Sequence, residues 1–145
     1  MEARRKIIIG NWKMNGRPKD LVDIDLLFKK IPQQEIDIVI APPATLLYEL
    51  KGLNTPKNLL LSGQNCHQVE SGAYTGEISA AMLKDAGANY VILGHSERRT
   101  VYKETSTLVR LKALEAVKQG LIPIICVGEH LKSYENNQTL SVIER

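Results

Sequence analysis

The chain has 145 residues, 43% of them hydrophobic, which is the length of one domain with a real apolar core and not the composition of a disordered segment. Its net charge of +3 comes from 19 basic and 16 acidic residues, too mild and too scattered for a nucleic-acid footprint, with the densest basic groups at Arg4-Arg5-Lys6 and Arg98-Arg99. Two cysteines, Cys126 within an apolar run, favour a reducing, cytoplasmic setting over a disulfide framework, and Ile7-Ile8-Ile9 is too short for a signal-peptide core or a membrane span.

Residues 6–9 form a β-branched run that stops at Gly10 and gives way to Asn11, Trp12, Lys13, Met14 and Asn15, which predicts a strand and then a polar loop. From Pro18, apolar Leu21, Ile24, Leu27, Phe28 and Ile31 recur at three- and four-residue steps, the period of an amphipathic helix, closed by Pro32. A second strand at Ile36–Ala41 runs into Pro42-Pro43, which cannot continue a ladder but suits a helix start. Leu46, Leu47 and Leu50 carry that helix to Gly52. A third strand follows at 58–63.

The connection 64–79 holds Asn65, Cys66, His67, Gly72, Tyr74, Thr75 and Gly76 with no sustained period. Strand-to-helix loops usually have about 2–6 residues, so this length points to function. Val69 and Tyr74 favour contact with another chain over a bare surface loop. A helix at 79–85 ends at Gly87. The strand Tyr90–Leu93 has no polar alternation, the pattern of a parallel strand covered on both faces, and Gly94 permits a tight turn out of it. Ser96 is placed to cap a short helix. Amides at that helix start favour a neutral His95 that donates a hydrogen bond, an electrophilic catalyst, with a capping or core-rim histidine as the plain alternative. Leu108, Leu111, Leu114 and Val117 mark a helix ending at Gly120, and 121–127 is a fifth strand with Gly128, Glu129 and His130 at its end. After Asn136-Asn137, Leu140 and Ile143 begin a further helix, which Arg145 cuts short.

A βα unit about every 30 residues means a parallel sheet, either open and doubly wound or a (β/α)8 barrel of about 250 residues. Gly10-Asn11-Trp12-Lys13 lacks the G-x-G-x-x-G dinucleotide pattern. Residues that follow parallel strands gather on one face, here Asn11, Lys13, Gln64, Asn65, His95, Glu97 and Glu129, a small-molecule site. Lys13 can hold a phosphate or a developing oxyanion, and Glu97 can neutralise or hold Lys13. Cys126 reads as a small buried hydrophobe, and neither His67 nor His130 has the company of a metal site.

Gly10-Asn11-Trp12-Lys13-Met14-Asn15, Gly63-Gln64-Asn65-Cys66, Gly76-Glu77-Ile78-Ser79, Gly94-His95-Ser96-Glu97-Arg98-Arg99 and Cys126-Val127-Gly128-Glu129 resemble, in order and spacing, the motifs of the triosephosphate isomerases. The resemblance covers the whole chain and implies a single domain, residues 1–145, forming part of a TIM barrel. It implies interconversion of dihydroxyacetone phosphate and glyceraldehyde 3-phosphate through an enediol or enediolate, without metal or organic cofactor. Asn11 and Lys13 would bind the substrate, Lys13 supplying positive charge, with Glu97 in support. His95 would be the electrophile; a neutral histidine at a helix N-terminus is a known property of that family. The 64–79 loop resembles the family's interdigitating dimer loop, its tip around Tyr74 and Thr75 packing near the partner's catalytic residues, which implies a homodimer for the complete enzyme.

The sequence departs from the family pattern after the fifth strand: the glutamate base of the sixth unit, the closing loop and the glycine-rich phosphate loops do not appear before Arg145. Glu97 and Glu129 are the strand-end glutamates present, and neither matches the base motif. The expectation is a barrel truncated after the fifth strand, inactive alone and completed by a C-terminal fragment or a longer chain. The alternatives are a non-catalytic association module and, ranked last, another phosphosugar isomerase or an aldolase on the same barrel.

Overall fold

The computed structural model describes residues 6–31, 36–53 and 56–144. Pro32, expected to close the first helix, the basic pair Arg4-Arg5, and Arg145 lie outside the described residues.

Five strands, β1 (Lys6–Asn11), β2 (Ile36–Ala41), β3 (Leu59–Gly63), β4 (Tyr90–Leu93) and β5 (Ile122–Ile125), lie side by side in chain order, and every neighbouring pair is parallel. The register pairs Lys6 with Ile36 and Asn11 with Ala41, and Leu93 with Ile125, so the C-terminal ends of all five strands open on one rim. This is the strand arrangement of a partial (β/α)8 barrel. The helices are α1 (Leu21–Phe28), entered through a 3-10 turn at Pro18–Asp20, α2 (Ala44–Lys51), α3 (Ala80–Asp85), α4 (Ser96–Val101), α5 (Ser106–Lys118), α6 (Leu131–Glu135) and α7 (Thr139–Ile143).

The core lies between sheet and helices. Val91 and Leu93 of β4 are buried against Leu46, Leu47 and Leu50 of α2, Leu83 of α3, and Val109 and Ala116 of α5 in one apolar cluster. Burial of such side chains contributes about 1.5–3 kcal/mol each. Gly63 allows the close approach of α3, since a Cβ there would stand 2.5 Å from Leu83 Cδ1. Two lysines tie the ends of α2, α3 and α5 together: Lys51 Nζ donates to the carbonyl of Asp85 (2.9 Å), and Lys84 Nζ to that of Gly120 (2.8 Å). They supply donors to C-terminal carbonyls that no helical amide reaches.

The helix expected from Leu108, Leu111, Leu114 and Val117 is α5, although Leu111, Leu114 and Val117 face solvent and its buried face is Val109, Lys112 and Ala116. Three expectations are corrected. Ser96 does not cap α4; His95 does, being extended (ψ 145°) with its ring nitrogen bonded to the Glu97 amide, which places Ser96 inside the helix. β5 ends at Ile125, and Cys126 is only half-buried. The short helix α6 was not expected; at five residues it has no readable period. Along β1, Ile7, Ile8 and Ile9 are exposed, as are Ile122 and Ile125 on β5, the opposite edge. Among the described residues no helix is long and apolar enough to cross a membrane.

Candidate active site

The rim of strand ends carries an open cavity of about 340 Å³ whose wall includes Asn11, Lys13, Gln64, Asn65, His95 and Glu97. Parallel pairing explains the convergence. Each of these residues ends a strand or follows one, and in-register strands bring those positions to the same level.

Lys13 has φ +54°, a conformation unfavourable for a side-chain-bearing residue. Side-chain amides hold it there. Lys13 N–H donates to Asn11 Oδ1 (2.8 Å), Asn15 Nδ2 donates to the Trp12 carbonyl (2.9 Å), and Gln64 Nε2 donates to the carbonyls of both Lys13 and Ala41 (2.8 Å each). The ammonium then reaches across the cavity to Glu97 Oε1 at 2.7 Å, both side chains being about half exposed. The hydrogen bond from Lys13 holds the Glu97 carboxyl below the usual glutamate value.

His95 sits where β4 gives way to α4. Its Nδ1 accepts the Glu97 backbone N–H at 3.3 Å, which leaves Nε2 as the ring nitrogen free to donate. The same Nδ1 stands 3.6 Å from Glu97 Oε2, too long for a hydrogen bond, and that carboxylate is already committed to Lys13.

Glu129 is not part of this cavity. It lines a neighbouring one of about 370 Å³ with Gly94, Arg99 and His130, and its Oε1 accepts the Thr139 hydroxyl at 2.8 Å. Tyr74 and Thr75 also stand off the cavity, although Gly76 and Glu77 of the same loop line it. The loop is well braced. His67 N–H donates to the Ile78 carbonyl (2.8 Å), Lys118 pairs with Glu70 (2.9 Å), and the Tyr74 ring lies 4.0 Å from that of His67, so Tyr74 spends one face on its own loop. Among the described residues no group of three His, Cys, Asp or Glu side chains could hold a metal ion.

Behind the cavity lies a charged cluster that the sequence reading missed. Glu104 Oε1 accepts from Arg98 Nε and from Lys112 Nζ, each at 2.6 Å, and Lys112 Nζ also donates to Asn65 Oδ1 at 2.9 Å. Burial alone would raise the Glu104 carboxyl, but hydrogen bonds and charge from Lys112 and Arg98 outweigh it and the value is lowered. Arg98 also stacks over Tyr102 at 4.8 Å, and both line the cavity. Nearby Cys66 is buried, which pushes its thiol up to about 11 and makes it inert.

The triosephosphate isomerase family model matches residues 6–145. The chain belongs to the triosephosphate isomerase family. It is 46% identical over 143 residues to triosephosphate isomerase of Alkaliphilus oremlandii, covering 98% of this chain and 58% of the relative, and 48% identical over 140 residues to that of Ruegeria pomeroyi, covering 97% and 56%. The crystal structure of triosephosphate isomerase from Bartonella henselae superposes with a TM-score of 0.92 at 46% identity, over 98% of this chain and 60% of that one. The chain thus spans about three-fifths of the length of these triosephosphate isomerases, and the fold expected from its motifs, a TIM barrel through the fifth strand, is the one found.

Proposed function

We propose that this chain supplies the electrophile and the cation of a triosephosphate isomerase site. The observation that carries the reading is the convergence of Lys13 and His95 on one cavity, with Glu97 bridging them. In this reading His95 Nε2–H polarises the triose carbonyl, and Lys13 stabilises the charge that develops on the enediolate and meets the substrate's phosphate. Asn11 fixes the Lys13 backbone through its side-chain oxygen. Glu97 orients the ammonium until the anionic substrate competes for it.

Isomerisation also needs a carboxylate to move the carbon-bound proton. Glu97 is engaged by Lys13, and Glu129 lies outside the cavity and is engaged by Thr139. We assign the base to neither; by resemblance to the family, it belongs to the sixth βα unit, on a complementary C-terminal fragment or a longer chain. No cofactor is required. The braced 64–79 loop, with Tyr74 and Thr75 at its tip, is suited to insertion beside the site of a second copy, giving a homodimer in the cytoplasm.

Calorimetric titration with dihydroxyacetone phosphate tests the binding half of the reading. Lys13→Met removes a charged hydrogen bond of about 1.5–3 kcal/mol and should weaken binding by about 10- to 100-fold. Equal affinities for the wild-type and Lys13→Met chains would refute it.

A further inference from the structure

We infer that Arg99 is the positioning residue that holds His95 in its productive orientation, an assignment that rests on the function proposed above. His95 lies between two peptide groups, and Arg99 holds the oxygen of each. Its side-chain Nε donates to the Gly94 carbonyl at 2.8 Å, and its backbone N–H donates to the His95 carbonyl at 3.0 Å as a helical bond of α4. The guanidinium extends across the sheet as well: Nη2 donates to the Cys126 carbonyl after β5 (3.2 Å), and Nη1 to Ser106 Oγ at the start of α5 (3.3 Å). Among the described residues Arg99 forms no ion pair, so its donors go to these oxygens alone.

The need for such a clamp follows from Gly94. It turns the chain at φ +66°, and a Cβ there would stand 2.8 Å from Arg99 Nη2 and 2.9 Å from Val109 Cγ2. Glycine admits the turn and the close guanidinium, but it also leaves the Gly94–His95 peptide the freest in the segment. Rotation of that peptide would swing the imidazole off the Glu97 amide and release Nδ1. A planar fork holding carbonyls at two neighbouring strand ends prevents this, and a lysine ammonium cannot span both. Arg99 lines the neighbouring cavity, not the one that His95 faces, so it acts through His95.

The test is nitrogen NMR of the full chain labelled at its three histidines, with His95 assigned through His95→Gln. Wild type should show His95 as a single tautomer, protonated on Nε2. Arg99→Ala should lose that signature and average the two tautomers, and added guanidinium ion should restore it. Arg99→Lys, which keeps the charge, should also lose the single tautomer, and it decides the matter if Arg99→Ala does not fold. A His95 that stays a single tautomer in a folded Arg99→Ala or Arg99→Lys chain, whatever the fall in unfolding midpoint, would reduce Arg99 to a structural residue and overturn the inference. The tautomer is read without substrate. A wild-type chain that keeps it but binds dihydroxyacetone phosphate no better than Lys13→Met does refutes the proposed function and not this one.

Discussion

Replacing Glu104 by glutamine should destabilise the chain more than replacing its partner Lys112 by methionine, although both changes break the same ion pair. The side chains of Lys112 and Glu104 are 4% and 3% exposed, so neither charge can be rescued by water. In Glu104→Gln the Lys112 ammonium stays buried with only neutral acceptors, Asn65 Oδ1 and the new amide oxygen, and Arg98 loses its carboxylate too. Stranding a buried charge costs about 3–5 kcal/mol. The amide nitrogen gains nothing in return, since Glu104 Oε2 has no hydrogen-bond partner among the described residues. In Lys112→Met the carboxylate keeps its 2.6 Å bond to Arg98, which is 28% exposed and partly solvated, so the loss should be about 1–3 kcal/mol. Urea unfolding followed by circular dichroism measures both. The double variant should recover part of the Glu104→Gln loss, because it removes the stranded ammonium. Equal losses, or a larger one for Lys112→Met, would show that the cluster is not held by the carboxylate as described.

The pH dependence follows from the same group. With its folded value lowered, Glu104 contributes stability that is fully present above the ordinary glutamate range and is lost as pH falls through the depressed folded value; acid unfolding of Glu104→Gln should lack that contribution. Lys51→Met removes one donor to the Asp85 carbonyl and should cost about 0.5–1.5 kcal/mol by urea unfolding, with the cavity unaffected. A chain of these 145 residues should self-associate through β1 and β5: covering even about 300 Å² of exposed isoleucine and backbone edge is worth several kcal/mol at about 25 cal/mol per Å². Sedimentation equilibrium that shows only monomer at all concentrations would contradict this.

The parallel half-barrel was legible because its strands are short, mainly apolar runs that recur about every 30 residues between helical signals, and because the positions after them all fall on one rim. Asn11, Lys13, His95 and Glu97 could be grouped for that reason alone. The face of α5 could not. Leu111, Leu114 and Val117 have a convincing helical period, yet the helix turns Lys112 inward because Glu104 and Asn65 wait there with oxygens 2.6 and 2.9 Å from its ammonium. Hydrophobic periodicity carries no information about a buried ion pair with Glu104 or a hydrogen bond to the remote Asn65. His95 as the helix cap stood only as the alternative for a related reason: serine is the usual cap, and only the extended backbone after Gly94 puts the imidazole over the Glu97 amide.

The most direct test of the proposed division of labour is complementation. The chain is mixed with a separately expressed C-terminal part of a full-length triosephosphate isomerase, and turnover of dihydroxyacetone phosphate is followed for the wild-type and His95→Gln chains. Negligible turnover is expected from either piece alone, since loss of a general base costs about 10²–10⁴ in rate and positioning is lost with it. Turnover is expected on mixing with wild type, and a far lower rate with His95→Gln at little-changed substrate affinity. Isomerase turnover by the pure chain alone at the rate of the mixture, or a His95→Gln mixture as fast as wild type, would contradict this division of labour.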